Sequence, residues 1–148
     1  MRFCVLIASC LFFQAVGAVR APGDGDEDGK QLQGDWRALE LQTGGNAAPK
    51  GVVEKARVEV KGDEMTWHSG GKVVRKSRLR LHPGKSPKEI DITALDGPDK
   101  GTTYPGIYSL EKGQLRLCYS RTKDRPKEFK TGRGGLRELV ILERVKPK

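Results

Sequence analysis

The chain is poor in the residues that build metal sites, disulfides and nucleophilic centres. Its 148 residues include three cysteines and two histidines. No paired cysteines and no His-x-x-x-His spacing occur, so the patterns typical of a transition-metal site are absent. The Gly-x-Ser-x-Gly turn that presents a nucleophilic serine is absent as well. We therefore expect no metal, no cofactor and no catalytic residues, and predict that the protein is not an enzyme.

Long apolar runs are also scarce, and the only one spans residues 3–16. Arg2 is the only charged residue before Arg20, and small residues at positions 17 and 18 offer a cleavage site. This pattern predicts a secretory signal peptide at residues 1–18, cut after Ala18, and hence an exported protein that is periplasmic or secreted. The run is short for a membrane span, so we expect no stable span in the mature chain. An uncut N-terminal anchor, or a lipoprotein signal with lipid attached at Cys10, are the alternatives.

Cleavage of the signal peptide would remove Cys4 and Cys10 and leave Cys118 alone. A single cysteine cannot form an internal disulfide. Cys118 is either a small buried apolar residue or a free reactive thiol, and the absence of a neighbouring base in the sequence favours the first.

An acidic, glycine-rich stretch, GDGDEDG, occupies residues 23–29. Acids at alternate positions followed by glycine are how the calcium loop of an EF-hand begins. The twelfth position from Asp24 is Asp35, however, where an EF-hand has glutamate, and no helical pattern flanks the stretch. We interpret residues 19–30 as a solvated acidic linker, with weak calcium binding as the alternative.

The chain as a whole is basic, with a formal net charge of +9. Four acids lie before residue 30, so the remainder is more basic still. A basic domain attracts anions, so an acidic polymer or acidic protein is a possible partner. Export argues against nucleic acid, which we do not expect as a partner.

Short alternating runs separated by turn residues fill the rest of the chain, and no long segment has helical periodicity. Gly70-Gly71 is typical of a two-residue hairpin turn. About eight strands in one domain, joined mostly by short turns, predict an all-β, single antiparallel up-and-down β-barrel or a sandwich. The strands are expected at residues 34–41, 57–61, 65–68, 72–81, 89–93, 106–110, 114–119 and 136–145.

A set of short motifs in fixed order covers nearly all of residues 31–145. It resembles an uncharacterised lipocalin-like domain family found mainly in planctomycete bacteria. The resemblance implies a lipocalin-like (calycin-type) β-barrel for residues 31–148, often in exported proteins, and implies no reaction. The motifs are Leu32-Gln33-Gly34-Asp35-Trp36, Ile90-Asp91-Ile92, Gly97-Pro98 with Lys100-Gly101, Gly106-Ile107-Tyr108, Leu115 with Leu117-Cys118, and Arg125-Pro126 with Phe129.

Gly34-x-Trp36 also resembles the Gly-x-Trp start of true lipocalins, where the tryptophan plugs one end of the barrel under an arginine of the last strand. By that resemblance, Gly34, Trp36 and Arg144 are predicted to close the barrel, since a guanidinium is favoured over an indole face. The alternative is that Trp36 is an ordinary core aromatic. The paired cysteines of lipocalins are absent, so no lipocalin ligand class is carried over.

Two long loops interrupt the series of short strands and tight turns, and long loops often carry functional residues. Residues 96–105 have the glycines and lysine of a phosphate cradle but lack the P-loop ending, which favours a plain turn. Residues 121–135 concentrate six basic residues, which could rim a barrel mouth and hold an anionic ligand or form a solvated loop.

An eight-stranded barrel has an interior that is filled by side chains or just wide enough for one small ligand. We expect Trp67, Leu79, Ile92, Leu117 and Ile141 to point inward. Candidate ligand-binding residues are Trp67, Tyr108, Leu117, Tyr119 and Arg125, with the tyrosines and arginine orienting the ligand.

Our leading hypothesis from the sequence is an exported, non-catalytic binding module for a small apolar or amphipathic ligand. The alternative is a structural or interaction protein of the cell envelope that binds an acidic partner through its basic surface. The third and weakest hypothesis is an enzyme that uses Asp91, Tyr108 or Arg125 at the barrel mouth.

Overall fold

A computed structural model describes residues 24–148 of the chain, with side chains from residue 27. The predicted signal peptide, the lipid-attachment alternative at Cys10 and residues 19–23 of the predicted linker lie outside the described residues. The elements in chain order are α1 (Asp24–Leu32), β1 (Gly34–Thr43), β2 (Asn46–Ala47), α2 (Lys50–Lys55), β3 (Ala56–Lys61), β4 (Glu64–Ser69), β5 (Lys72–His82), β6 (Glu89–Ala94), β7 (Thr103–Glu111), β8 (Gln114–Ser120) and β9 (Arg137–Arg144).

The long strands form a closed antiparallel barrel. From β3 to β9 each strand pairs with the next along the chain, β1 pairs with β3, and β1 also pairs with β9 to complete the ring. The short β2 is an extra strand on β1. The prediction of an all-β, up-and-down, lipocalin-like barrel of eight strands is confirmed.

Alternation along the strands sets the inside of the barrel. In β3 and β6 every second side chain is buried, so Val58, Val60, Ile90 and Ile92 point into the core while their neighbours face outward. The predicted hairpin turn at residues 70–71 is present, and both glycines have positive φ, as a tight two-residue turn requires.

The two ends of the barrel differ. At the closed end, α1 lies against the ends of the strands, and the connections at residues 62–63, 83–88 and 112–113 are short. At the mouth lie α2, the turn at residues 70–71 and the long loops at residues 95–102 and 121–136. Function is therefore best sought at the mouth, where loops offer variable side chains on a rigid scaffold.

The interpretation of residues 19–30 as a solvated linker is wrong for its described part, since residues from Asp24 onward form α1 and strand β1 begins only at Gly34. The helix was not predicted because the two glycines and three aspartates of this segment have low helix propensity. Burial of Asp28 and Leu32 against the barrel outweighs that propensity, because short helices owe most of their stability to packing.

Side chains at the barrel end satisfy the carbonyl groups at the C-terminus of α1, which have no partner within the helix. Gln33 donates from its amide to the Gly29 carbonyl at 2.9 Å, and the Trp36 indole N–H donates to the Leu32 carbonyl at 2.9 Å. Arg144 donates to the carbonyls of Gln31 and Gln33. The Gln33 amide also bonds to both backbone groups of Gly62, so the helix is fixed to the β3–β4 turn.

A continuous apolar core fills the barrel from α1 up to the mouth. Leu79, Ile92 and Leu117 point into this core, and Trp67 packs against it from the mouth. The expectation for Ile141 is wrong: Val140 and Leu142 take the inward positions of β9, and Ile141 pairs with Arg116 on the outer face. No helix within residues 24–148 is long and apolar enough to cross a membrane.

Candidate ligand site at the barrel mouth

A cleft of about 330 Å³ opens at the mouth, above the filled core. A β-bulge in the β4–β5 pair shapes one side of it: Trp67 pairs with Arg75 and His68 pairs with Val73, which leaves Val74 without a partner. The bulge allows both Val74 and Arg75 to line the cleft. The apolar lining consists of Leu41, Ala48, Val52, Trp67, Val74, Leu139 and Val140.

Glu138 of β9 anchors the first half of a polar wall. The Tyr119 hydroxyl donates to Glu138 Oε2, and the Arg121 Nε donates to Glu138 Oε1 at 2.6 Å. Tyr119 and Glu138 both line the cleft. A carboxylate in this inward position is therefore held by one phenol and one guanidinium.

Asp99, from the loop after β6, anchors the second half in the same way. Its Oδ2 accepts a hydrogen bond from the Tyr104 hydroxyl at 2.5 Å and another from Arg75 Nη2 at 2.6 Å. The rings of Tyr104 and Tyr119 lie 6.3 Å apart between centroids, which joins the two halves. We call the joined set, Arg75, Asp99, Tyr104, Tyr119, Arg121 and Glu138, the mouth network.

The contacts of the mouth network shift the pKa values of its two tyrosines and of Asp99. Burial, followed by the negative charge and hydrogen bond of Glu138, raises the pKa of Tyr119 far above its usual range. The hydrogen bond to Asp99, with burial next, raises the pKa of Tyr104. The same Tyr104 hydrogen bond outweighs burial at Asp99 and, with the charge of Arg75, lowers the pKa of that carboxyl. The phenols therefore stay neutral donors and Asp99 stays charged near neutral pH, as a static polar wall requires.

The structure divides the predicted ligand-binding residues among three places. Trp67 and Tyr119 line the cleft. Tyr108 and Leu117 do not, because each is 1% exposed within the core. Arg125 lies on the outer face of the barrel wall. The sequence predicts which residues face inward. Their height in the barrel depends on strand register, which is a tertiary property.

Tyr108 belongs to the closed end. Its hydroxyl donates to Asp28 Oδ2 of α1 at 2.5 Å, and Lys88 Nζ lies 2.8 Å from the same oxygen. Burial, with the Asp28 hydrogen bond next, raises the pKa of Tyr108 well above its usual range. Asp28 thus fixes α1 to the barrel. Among the described residues, no group of three or more His, Cys, Asp and Glu is placed to hold a metal ion.

Arg125 fixes the long loop at residues 121–135 to the outside of the barrel. Its Nη1 donates to the carbonyls of Ile90 and Gly106, and its Nη2 donates to Asp91 Oδ1 at 2.6 Å. Asp91 points outward, since its neighbours in β6 face the core, and it also contacts His82. Asp91, Tyr108 and Arg125 therefore do not meet at the mouth, and the expectation that Arg125 orients a ligand there is wrong.

The loop at residues 95–102 is a hydrogen-bonded turn. The Gly101 N–H donates to the Ala94 carbonyl at 2.8 Å, and the Thr102 N–H donates to the Asp99 carbonyl at 2.9 Å. The Asp99 side chain faces Tyr104 and Arg75. The loop therefore has the geometry of the plain turn that its sequence favours.

Cys118 is a buried apolar residue under the loop at residues 121–135. It is fully buried in a small outer cluster with Ile107, Leu139 and Phe129. Burial raises the pKa of its thiol, which disfavours the reactive thiolate.

The three residues predicted to close the barrel do lie together. Arg144 Cζ is 4.4 Å from the centroid of the Trp36 ring, and a Cβ on Gly34 would meet Arg144 Nη1 at 3.2 Å. Trp36 is completely buried. Trp36 and Arg144 are also direct partners in the β1–β9 pairing that closes the ring.

Reasoning from the sequence missed Arg75, Asp99, Tyr104 and Glu138. One signal was available: Glu138 is the only acid at an inward position of the apolar strand β9, two residues before Val140. An acid at such a position needs partners. The partners of Glu138 come from β8 and the loop that follows it, those of Asp99 come from β5 and β7, and only the folded barrel brings them together.

The closed ring, the helix across one end and the lined cleft at the other define a lipocalin-like β-barrel. Compared with protein-family models, with curated proteins and with solved structures, the chain matches none.

Proposed function

We propose that the protein is a non-catalytic binding module that holds a small amphipathic ligand in the cleft at the barrel mouth. The observation that carries this proposal is the two-sided lining of one cleft. Trp67, Val74 and Val140 offer apolar surface, while Arg75, Tyr119 and Glu138 offer polar groups. Sites for small molecules are mostly apolar with a few fixed polar groups, and this cleft has that composition.

The volume limits the ligand. About 330 Å³ is at the lower end of the range of roughly 300–1,000 Å³ that is usual for small-molecule sites. The filled core below the cleft leaves no room for a long chain to extend into the barrel. We therefore propose a compact ligand whose apolar part lies against Trp67 and whose polar part lies beside Arg75.

A binding role fits the mouth network better than catalysis does. Each carboxylate is held by a tyrosine and an arginine, and the pKa values of both tyrosines are raised. General acid–base catalysis near neutral pH needs a group that titrates there. The two tyrosines instead remain neutral hydrogen-bond donors near neutral pH and hold the polar wall that orients a ligand.

Native mass spectrometry of the protein purified from a bacterial host, repeated under denaturing conditions, tests the proposal. We expect an adduct of small mass that leaves on denaturation. Its absence after growth in several media would argue against a carried ligand and would direct attention to an acidic partner on the basic surface.

Tryptophan fluorescence provides a second test, because the two tryptophans occupy different sites. Trp36 is fully buried at the closed end, whereas Trp67 lines the cleft. In a Trp36→Phe variant, a bound apolar probe should shift the emission of Trp67. Val74→Arg should block the cleft and abolish the shift, and the matched control Val145→Arg, exposed beyond the end of β9, should not. Equal responses of the two variants would contradict the site.

We further propose that the protein is exported and processed after Ala18, on the strength of the apolar run and the small residues that follow it. The mass of the protein recovered from the periplasm or medium of a bacterial host would show whether residues 1–18 have been removed. Recovery of the intact chain from the cytoplasm would contradict this proposal.

A further inference from the structure

The mouth carries most of the exposed apolar side chains among the described residues. Six large apolar side chains within residues 27–148 are exposed, and four of them, Val52, Val73, Val74 and Leu136, are at the mouth. Their exposed fractions lie between 49% and 59%. Single exposed apolar residues are ordinary, but a concentration around one opening marks a surface that contacts something apolar.

The three valines of this set belong to two adjoining segments, α2 and residues 69–74, which we call the rim tips. The Gly70 N–H donates to the Lys55 carbonyl at 3.2 Å, so the segments touch. A Cβ built on Gly51, Gly70 or Gly71 would meet nothing within 4 Å. The space around these three glycines is therefore open, and the exposed valines beside them are free to contact a surface larger than the cleft.

The charges of the rim tips are mostly positive. Lys50, Lys55 and Lys72 are exposed, and Glu54 is the one acid within these two segments. Glu54 is 3.9 Å from Lys50 Nζ, and both side chains are largely exposed, so this pair is weak. Lysines that flank exposed valines match a membrane surface, where anionic headgroups lie above apolar chains.

We infer that the rim tips dock on an anionic lipid surface, which places the cleft against the bilayer from which it takes its amphipathic ligand. The docking step rests on the rim tips alone, and the ligand step rests on the proposed function. Val52 and Val74 line the cleft as well as the rim, so the same side chains connect the two surfaces. Val73 faces away from the cleft, since it pairs with His68 on the outer face of the barrel, and can contact lipid independently.

Cosedimentation with vesicles tests the docking. Protein is mixed with vesicles of phosphatidylcholine alone or with added phosphatidylglycerol, at low and high salt. We expect binding that requires the anionic lipid and weakens with salt. Replacing Lys50, Lys55 and Lys72 together by glutamine should weaken binding about tenfold or more. The matched control replaces Lys30, Lys85 and Lys146 at the closed end and should bind like the unchanged protein.

A second variant, Val73→Ser, separates docking from ligand binding. It should bind vesicles several-fold more weakly, yet retain the response of Trp67 to an apolar probe in the absence of vesicles. Equal losses in the two lysine variants, or binding that ignores both lipid charge and salt, would overturn the docking proposal. So would self-association in sedimentation velocity that Val73→Ser removes, because the rim tips would then contact a second copy. Vesicle binding without a probe response would leave docking intact and refute the proposed function.

Discussion

The guanidinium of Arg144 lies over the indole of Trp36, with its Cζ 4.4 Å from the ring centroid, and donates to the carbonyls of Gln31 and Gln33. Trp36 in turn donates to the Leu32 carbonyl. One contact between the first and last strands of the barrel therefore also caps the C-terminus of α1. Barrel closure and helix docking are coupled through these two side chains.

Arg144→Lys should destabilise the protein by roughly 2–3 kcal/mol, because an ammonium group cannot stack on the indole and reach both carbonyls. Urea unfolding followed by circular dichroism measures this loss. The matched control is Arg116→Lys, since Arg116 lies over Phe129 at 4.7 Å on the outer face. We expect it to cost under about 1 kcal/mol. Equal losses would contradict a special role for Arg144.

The bond from Tyr108 to Asp28 should show energetic coupling across the closed end. Asp28→Ala removes the acceptor of a buried hydroxyl and the partner of Lys88, and should cost about 2–3 kcal/mol. Tyr108→Phe should cost about 1–2 kcal/mol. The double variant should cost less than the two losses together, as measured by unfolding in urea. Simple additivity would mean that α1 is held by its apolar contacts alone.

In alkaline titration, tyrosinate should form at higher pH in the folded protein than in the unfolded protein. The chain has three tyrosines, and the pKa of each is raised, by burial first at Tyr108 and Tyr119 and by the bond to Asp99 first at Tyr104. A raised pKa stabilises the folded state below the unfolded pKa of about 10, and this stability is lost as pH rises further. Absorbance of the unfolded protein in urea, which should titrate near pH 10, is the control. Normal titration of the folded protein would contradict the mouth network.

Gly106→Ala should be strongly destabilising. A Cβ at this position would meet the Tyr119 Cβ at 2.8 Å and the Cys118 carbonyl oxygen at 2.9 Å. Both are held by strand pairing and cannot move cheaply, so we expect a loss of about 1–3 kcal/mol in thermal or urea unfolding. Gly51→Ala in α2 is the control, since nothing lies within 4 Å and alanine favours a helix by about 1 kcal/mol. Similar losses in both variants would refute the argument from steric clash.

Arg125→Gln should make the loop at residues 121–135 more mobile and lower the stability of the folded protein at acidic pH. Burial by itself would raise the pKa of Asp91, but hydrogen bonds from Arg125 and His82 outweigh it and lower the pKa. A lowered pKa stabilises the folded state above the unfolded value of about 4, and this stability is lost as pH falls through the folded pKa. Hydrogen exchange across the loop, and unfolding between pH 6 and 3, measure the two effects. Lys123→Gln, exposed in the same loop, should change neither.

Local patterns were sufficient to predict the wall of the barrel. Alternation in residues 57–61 and 89–93, with the glycine pair at residues 70–71, gave the strands and their inward faces, because burial on one side of a strand imposes a period of two. The Gly34, Trp36 and Arg144 contact was anticipated through its resemblance to the lipocalin opening. Helices α1 and α2 were missed, because both are short and α1 is held by packing rather than by its own propensity.

Only half of the site could be predicted, because the height of an inward side chain and the course of a loop depend on tertiary structure. Trp67 and Tyr119 were expected to face inward, and they line the cleft, but Tyr108 and Leu117 face inward at lower levels and are buried in the core. Arg125 was expected at the mouth. Its hydrogen bonds to Asp91 and to two backbone carbonyls instead hold its loop against the outer face of the barrel. Sequence separation between Arg125 and Asp91 carries no information on that contact.

By itself, the sequence determined the class of fold, the length and facing of most strands and the basic character of the domain, since these follow from periodicity and composition. Tertiary structure alone decided which end is closed, where the cleft opens and which charges meet. Closure of β1 on β9 sets the register of all eight strands, and register fixes the height of every inward side chain. The mouth network, assembled from β5, β7, β8, β9 and two loops, exists only once that ring is closed.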